Sequence, residues 1–289
     1  MEFKKKDLIK SPLNYTGGKF KLLPQILPLF PEKISMFYDV FGGGGNVALN
    51  CGAEYVYYND IISYIGHMFD GVKGVRTEEN LNKVLKLVDE YDLSDKNEEG
   101  FKKLREDYNN GKNEWQYFYA LITHSFNYQI RFNNSQEYNS SFGRDRSKFS
   151  KTLQSRFVKF SDRLNDMEIV FDNKDFRDVD YSDADCNDLV YFDPPYTINL
   201  GVYQDGKRGF SGWNKNDEED LLKICDLLNK QGTNFAMSNV FESKGSVNKE
   251  LIEWSKKYKV HYINNKYTNS SYQRKDRNGK DIEVLITNY

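Results

Sequence analysis

The chain has 289 residues, of which 38% are hydrophobic and 29% charged, and its formal net charge is −2. This length and composition predict one globular domain, or one domain with a sizeable insertion, and the near-neutral charge does not by itself indicate a nucleic-acid partner. No window approaches the roughly 18 uninterrupted apolar residues of a membrane span, and the basic N-terminus lacks the apolar stretch of a signal peptide, so neither a membrane protein nor an exported one is expected.

The first predicted elements form a strand, glycine loop, helix and second strand. Residues 35–40 (SMFYDV) and 54–58 (EYVYY) are short, aromatic and bounded by glycine or polar residues, as strands are. Between them, GGGGNVALNCG predicts a glycine turn followed by a short helix. Such a unit is typical of the opening of an α/β parallel sheet.

The next segment changes to helical periodicity. Residues 77–91 (TEENLNKVLKLVDEY) space Leu and Val at helical intervals, and residues 114–126 (EWQYFYALITHSF) predict a second, more hydrophobic helix. From 127 to 150 the chain is rich in Asn, Ser, Arg and aromatic residues, which predicts a loop or hairpin. A further helix is expected over residues 153–165 (LQSRFVKFSDRLN).

Strands then resume towards the C-terminus. They are predicted at EIVF (168–171), DLVYF (188–192), NFAMSN (234–239), VHYIN (260–264) and EVLITNY (283–289). Residues 216–232 (NDEEDLLKICDLLNKQG) predict a helix with acidic first turns and Gly232 just past its end. The simplest organisation is a sheet domain made of residues 1–69 and 156–289, with residues 70–155 inserted as a mostly helical unit.

The glycine loop indicates a ligand that approaches the backbone closely. Gly42 to Gly45 follow a predicted strand, but they form neither GxGxxG nor a P-loop motif. Asp60 falls at the tip of the second strand, where an acidic residue is placed to bind ribose hydroxyls. Together they favour an adenosine-bearing cofactor without a pyrophosphate over a merely tight turn.

The segment Asp193-Pro194-Pro195-Tyr196 ends a buried strand in an unusual way. Each proline fixes its own φ and restricts the residue before it, so the segment is a stiff platform. It offers a carboxylate, a backbone carbonyl and a flat ring, which match the exocyclic amine of a heteroaromatic base. Two acceptors on the amine hydrogens help the nitrogen to aim its lone pair at an electrophile. A purely structural strand exit is the alternative.

Cysteine, histidine and charge distribution add weaker expectations. Cys51, Cys186 and Cys225 are unpaired in pattern and predict buried free thiols in a reducing cytoplasm. The three histidines are too scattered to suggest a zinc site, so no metal is expected. Residues 123–163 carry a net charge of +5 and residues 256–280 one of +7, whereas residues 172–193 carry −6. A surface that neutralises a phosphate backbone and ordinary solvated charge fit these counts equally well.

Several motifs in order resemble one family. NYTGGKFKLLPQI is similar to its N-terminal motif, DVFGGGGNV to its FxGxG loop, FDNKDF to its adenine-holding segment, and DPPY to its catalytic tetrapeptide. FNYQIRFN…FGR resembles its DNA-reading hairpin, and EVLITNY its last strand. Nearly end to end, the chain resembles the Dam-type DNA adenine-N6 methyltransferases (D12 class, α group). The resemblance implies an α/β fold: a Rossmann-like S-adenosylmethionine-dependent methyltransferase sheet with a mostly helical DNA-recognition insertion.

The resemblance also implies a cofactor site and a mechanism. The cofactor would be S-adenosyl-L-methionine, and the product S-adenosylhomocysteine. The residues implied to bind the cofactor are Tyr15, Lys19, Phe41, Gly42, Gly43, Gly44, Asp60, Ile61, Asp175, Phe176 and Asp193. An adenine flipped out of double-stranded DNA would stack on Tyr196, with its N6 bound by Asp193 and the Pro194 carbonyl, while Pro195 stiffens the platform. The enzyme is expected to act in the cytoplasm as a monomer, away from membranes, and a restriction endonuclease acting on the same site is a compatible partner.

The predicted hairpin near 127–146 carries the expected DNA contacts. Asn127, Gln129, Arg131 and Asn133 alternate, so on a hairpin arm they would share a face. Arg131 falls on the family's base-reading arginine and suits guanine, while Asn and Gln suit adenine. For Tyr128, intercalation and packing are both open.

Two departures from the family pattern bear on the target sequence. Asn14 stands where many members have a guanine-reading Lys, and Gln129 where Leu is common. Both departures weaken the assignment of GATC as the target sequence, but they leave the predicted chemistry unchanged. The basic stretch TNSSYQRKDRNGKD, residues 268–281, predicts either a mobile loop near DNA or an uninvolved one.

Three alternatives remain from the sequence alone. The first is a cytosine-N4 DNA methyltransferase, which shares the amine chemistry of DPPY. The second is an RNA or protein-glutamine methyltransferase, which the hairpin and N-terminal motif fit less well. The third is a catalytically silent DNA-binding module, which failure to bind S-adenosylmethionine would favour.

Overall fold

A computed structural model describes residues 7–196, 213–243, 245–264 and 281–289. Within these ranges the strands are β1 Met36–Asp39, β2 Tyr55–Asn59, β3 Glu168–Asp172, β4 Leu189–Phe192, β5 Asn234–Ser243, β6 Ser246–Val247, β7 Lys259–Ile263 and β8 Ile282–Thr287. The helices are α1 Leu23–Ile26, α2 Ser63–Val72, α3 Thr77–Glu90, α4 Glu98–Asn109, α5 Trp115–His124, α6 Lys151–Asn165, α7 Lys215–Gln231 and α8 Lys249–Ser255.

The strands form one sheet in the order β3-β2-β1-β4-β5-β8-β7, with β6 paired to β5. The first five are parallel, and β8 runs antiparallel to both of its neighbours. The chain moves outward from β1 through β2 to β3 and then returns to place β4 on the other side of β1. Ligands of open α/β sheets bind at such a reversal of strand order, so the fold directs attention to the carboxyl ends of β1 and β4.

Both faces of the sheet are covered, which explains the continuous apolar sequence of β4. Tyr191 faces a core built with the N-terminal segment, α2, α3, α5 and α6. Val190 and Phe192 face the opposite core, to which α7 and α8 contribute. All four residues of β4 are therefore buried, as expected for a central parallel strand. The α/β sheet predicted from the sequence is confirmed.

The segment between β2 and β3 is mostly helical. The predicted helices over 77–91 and 114–126 correspond to α3 and α5. Two more helices, α2 and α4, are present that periodicity did not single out; α4 is largely polar and buries only Phe101, Leu104 and Tyr108. The aromatic side chains of these helices belong to the same core as α6 and one face of the sheet, so the two regions pack together.

Two local expectations are wrong. The short helix after the glycine loop is only a 3-10 turn, Ala48–Asn50, because Gly52 follows with φ 76° and ends it. All three cysteines are free, but only Cys225 is buried; Cys51 is half-buried and Cys186 is exposed, since it lies in the polar loop before β4. Across the described ranges, no helix has the length and apolarity needed to span a membrane.

Candidate active site

One cleft lies at the carboxyl ends of β1 and β4. Every residue predicted to contact the cofactor lines it: Tyr15, Lys19, Phe41, Gly42, Gly43, Gly44, Asp60, Ile61, Asp175, Phe176 and Asp193. Of the DPPY segment, Asp193 and Pro195 line the cleft and Pro194 is buried. The sheet topology explains much of this convergence, because the loops that carry Phe41, Asp60, Phe176 and Asp193 follow the carboxyl ends of strands, whereas Tyr15 and Lys19 come from the segment before β1.

The glycine loop is held by its packing against Tyr58. This tyrosine is fully buried, and its hydroxyl donates a 2.6 Å hydrogen bond to the Gly43 carbonyl. A Cβ atom at Gly42 would lie 2.1 Å from the Tyr58 ring, and Gly43 has φ 48°, a conformation that glycine adopts at little cost. The loop therefore lies closer to the sheet than any other residue type would allow.

Asp60 anchors the same loop from the tip of β2. Its Oδ2 accepts a 2.8 Å hydrogen bond from the Gly43 N–H, and its Oδ1 accepts one of 2.9 Å from the Ile62 N–H. Asp60 also lines the cleft, where a carboxylate is a suitable acceptor for hydroxyl groups of a ligand. Asp60 thus orders the loop and can bind a ligand with the same side chain.

The Asp193 carboxylate of the DPPY segment is paired with a buried lysine. The Lys19 Nζ lies 2.7 Å from Asp193 Oδ1 and 4.0 Å from Glu283 Oε1, and Lys19 is only 5% exposed. The Tyr196 hydroxyl donates to the same Asp193 oxygen at 3.0 Å, and Lys19 also lies over the Tyr196 ring. Among the described residues, none donates a hydrogen bond to Oδ2, which is therefore available to a ligand.

Asp39, the last residue of β1, is a cleft residue that sequence reasoning missed. Burial and the neighbouring Asp193 carboxylate raise its pKa to about 8, against the effect of a hydrogen bond from the Ala48 N–H and of Lys19. Asp39 is thus mainly a neutral acid at pH 7. The aspartate in YDVFGGGG is visible in the sequence, but its protonation depends on Asp193, which follows a different strand.

The apolar end of the cleft also contains residues that the motifs did not indicate. Trp213 packs against Phe41 and Phe176, and the Arg177 guanidinium lies over the Phe176 ring. Trp213 directly precedes helix α7, and the sequence pattern there predicted only the helix. Its contribution arises from packing between distant segments.

The hairpin differs in part from the expected geometry. Asn127 and Tyr128 have φ 54° and 56° within a 3-10 turn, so Asn127 is not on an extended arm, and the expectation that it shares the face of Gln129 and Arg131 is wrong. Alternation begins after the turn: Gln129 and Arg131 are exposed and Phe132 is buried.

Antiparallel contacts between the two arms fix this short hairpin. Phe132 pairs with Tyr138, the Asn133 N–H donates to Glu137 O at 2.9 Å, and the Asn139 N–H donates to Arg131 O at 3.0 Å. The Asn14 side chain donates a 2.9 Å hydrogen bond to the Asn127 carbonyl. The N-terminal motif and the hairpin turn therefore meet.

Part of the positive charge of the insertion is neutralised internally. Arg144 pairs with Glu98, Lys96 with Asp145, and Lys148 with Asp95 at 3.3 Å. Counting charges along residues 123–163 thus overstates the surface available to phosphates. The predicted basic stretch 268–281 lies outside the described residues except for Asp281, which accepts a hydrogen bond from Ser243.

The fold and the site together define a Rossmann-like methyltransferase: a glycine loop after the first strand, an acid after the second and DPPY after the fourth meet in one cleft. More narrowly, the chain belongs to the D12 class N6 adenine-specific DNA methyltransferases, whose family model matches residues 15–269. Membership implies a methyl donor and does not favour the cytosine-N4 alternative.

Several curated proteins are similar over almost the whole chain. The Type II methyltransferase M.FokI of Planomicrobium okeanokoites is 49% identical over 97% of the chain, and the modification methylase StsI of Streptococcus sanguinis is 44% identical over 98%. The modification methylase LlaI of Lactococcus lactis subsp. lactis is 33% identical over 97%. Each alignment covers 43% of the relative, so the chain spans less than half the length of these proteins.

The packing of the glycine loop predicts the effect of one added methyl group. Gly42→Ala should lower the free energy of unfolding by about 1–3 kcal/mol, because its Cβ would overlap the buried Tyr58 ring. Gly66→Ala in α2 is the matched control, since its Cβ would lie 3.9 Å from the other side of the same ring. Urea denaturation should find the control as stable as the unmodified protein or slightly more so; a stable Gly42→Ala variant would contradict the packing.

The raised pKa of Asp39 predicts a pH-dependent difference in stability. The folded state keeps a proton on Asp39 that the unfolded state loses near pH 4. The contribution of Asp39 to the free energy of unfolding is therefore fully present below pH 4 and is lost as the pH rises through about 8. Asp39→Asn should therefore gain stability relative to the unmodified protein between pH 4 and 8. Each unit of pKa difference corresponds to about 1.4 kcal/mol. Urea denaturation at several pH values in this range should show a higher free energy of unfolding for Asp39→Asn, and no change for the control, the exposed Asp178→Asn.

Proposed function

We propose that the chain is a site-specific DNA methyltransferase that transfers a methyl group from S-adenosylmethionine to N6 of a flipped adenine in double-stranded DNA, within a restriction-modification setting. Family membership supports the class of reaction. The observation that carries the proposal is the Asp193 carboxylate, which lies in the glycine-lined cleft with Oδ1 bound to Lys19 and Tyr196. Its second oxygen is left for the amine of the substrate.

The residues of the cleft fit S-adenosylmethionine. Asp60, at the tip of β2 in the cleft lining, suits ribose hydroxyls, and the apolar side chains of Phe41, Ile61 and Phe176 suit the adenine. Tyr15 and Lys19, on the opposite side of the glycine loop, suit the methionine end. The carboxylates of the cleft also suit a ligand with positively charged groups. Bound there, the cofactor would supply an activated methyl group on a sulfonium, and S-adenosylhomocysteine would be the product.

The protein's own groups would position the target amine. Asp193 Oδ2 and the Pro194 carbonyl accept its two hydrogens, so the nitrogen lone pair is directed away from them and into the cleft. Tyr196 supplies a ring for stacking once the base has left the duplex. Lys19 holds the acceptor in place, because its Nζ contacts Oδ1 of the same carboxylate at 2.7 Å.

The DNA would be bound by the insertion and the N-terminal motif. We propose residues 70–155 as the recognition insertion on a catalytic domain of residues 1–69 and 156–289, with Asn14, Asn127, Tyr128, Gln129, Arg131 and Asn133 as DNA contacts. The hydrogen bond from Asn14 to the Asn127 carbonyl supports this grouping. A cytoplasmic monomer, and a cognate restriction endonuclease as partner, belong to the same proposal.

The principal test replaces Asp193. Asp193→Asn keeps the shape but removes the charge, and it should lower methyl transfer to DNA by at least about 10²- to 10³-fold, the scale of losing one preorganised electrostatic contact. The exposed Asp178→Asn, in the same acidic segment, should keep full activity. The assay measures the transfer of radiolabelled methyl groups to DNA, followed by nucleoside digestion. Undiminished transfer by Asp193→Asn, or N4-methylcytosine as the product, would refute the proposal.

Arg131 should determine sequence choice. Arg131→Ala is expected to relax selectivity at one base pair by about 1–3 kcal/mol, because a bidentate contact to a guanine would be lost. Methylation rates on a set of duplexes with single base-pair changes measure this effect, and the exposed Lys151→Ala should leave their ranking unchanged. A uniform loss on every duplex would instead make Arg131 a phosphate contact.

A further inference from the structure

Three aromatic rings form a closed group at the apolar end of the cleft. The ring centres of Phe41 and Phe176 are 5.5 Å apart, those of Phe41 and Trp213 5.6 Å, and those of Phe176 and Trp213 5.5 Å. Trp213 is only 4% exposed, yet it lines the cleft. Residues that follow three different strands thus build one apolar wall.

Trp213 is fixed by the start of helix α7. It directly precedes Asn214, whose side chain accepts hydrogen bonds from the Asn216 N–H at 2.8 Å and the Asp217 N–H at 3.4 Å, while the Asp217 side chain accepts one of 2.8 Å from the Asn214 N–H. This reciprocal cap sets the direction in which the chain enters the helix. The position of the indole is therefore coupled to the first turn of α7.

Arg177 connects that first turn to the loop that carries Phe176. Its three nitrogens contact three carboxylates: Asp217 at 2.5 Å, Asp220 at 3.0 Å and Asp175 at 3.1 Å. Its guanidinium carbon lies 4.4 Å from the centre of the Phe176 ring. A planar fork with several fixed donors is suited to such a connection, which lysine could not reproduce. The same contacts neutralise negative charge beside the aromatic wall.

From this arrangement we infer that Trp213 is a wall of the site for the purine of the cofactor, and that Arg177 positions this wall. The inference rests on the proposed function and adds two residues to it. A base inserted between two rings needs about 7 Å between their planes, twice a contact distance of about 3.5 Å, so the base does not enter the ring group. It packs against the side of the group that faces the cleft, opposite the polar end at Asp60.

Tryptophan fluorescence tests the contact directly. Of the three tryptophans, Trp115 stacks on Phe157 and Trp254 packs on Phe235 and Tyr258, and neither lines the cleft. Addition of S-adenosylhomocysteine should therefore change the emission of the unmodified protein, and Trp213→Phe should abolish most of that change. An emission change that persists in Trp213→Phe would overturn the inference.

Binding by calorimetry gives a second measurement. Trp213→Ala should weaken the binding of S-adenosylhomocysteine about tenfold, the order expected for the loss of base stacking on an aromatic side chain, whereas Trp213→Phe should change it less than threefold. Unaltered binding in Trp213→Ala would overturn the inference but leave the proposed function in place. Failure of the unmodified protein to bind would overturn both. Thermal denaturation checks folding, and if Trp213→Ala does not fold, the fluorescence response of Trp213→Phe to S-adenosylhomocysteine decides.

Arg177 should affect binding of the cofactor rather than methyl transfer itself. Arg177→Ala should shift the emission of Trp213 to longer wavelength before any ligand is added and raise the KM for S-adenosylmethionine severalfold, with little change in kcat. Arg177→Lys should reverse only part of the emission shift and of the rise in KM, because a lysine cannot bridge three carboxylates. An equal fall of kcat with an unchanged KM would contradict a positioning role.

Discussion

The buried ion pair between Lys19 and Asp193 is the interaction on which the site depends. The strand order gathers Asp39, Asp60 and Asp193 at the carboxyl ends of β1, β2 and β4, and Glu283 Oε1 lies 4.0 Å from the Lys19 Nζ. A buried carboxylate is costly unless it is paired or protonated. Lys19 pairs with Asp193, backbone N–H groups satisfy Asp60, and Asp39 instead keeps a proton. The cleft therefore holds a lysine-paired carboxylate, Asp193, beside Asp39, whose pKa is raised.

Rigidity of the site comes from its connections to the sheet. The glycine loop packs on Tyr58, the two prolines stiffen the exit from β4, and the cap of α7 fixes Trp213. At the other end, Arg177 joins the loop after β3 to α7. Different segments around the same sheet thus hold the polar end and the apolar end of the cleft. Such a site places reacting groups accurately because these contacts hold the residues of the cleft against the sheet and its helices.

The insertion shares its hydrophobic core with the sheet, so the hairpin projects from a packed base. Exposed Arg131 alternates with buried Phe132, which anchors the arm in a group of aromatic side chains. Ion pairs within the insertion neutralise several of its basic residues. Recognition by a few exposed side chains on a rigid arm therefore fits this geometry better than a broad basic surface does.

Local patterns were sufficient for the strands at both chain ends and for helix α7 with its glycine cap, because each depends on neighbours in sequence. The glycine loop, Asp60 and DPPY were also visible as local motifs, whereas the other motif residues that line the cleft were indicated by the family resemblance. The pairing of Lys19 with Asp193, the proton on Asp39 and the position of Trp213 could not be derived in this way. Each depends on segments far apart in the chain that meet only when β4 returns beside β1. The left-handed conformation of Asn127 was not predicted either, because residue alternation indicated an extended arm at this position. The spacing of residue types along the chain determines the helices and strands. Which side chains are buried and which charges pair is decided only when the sheet and its helices pack together.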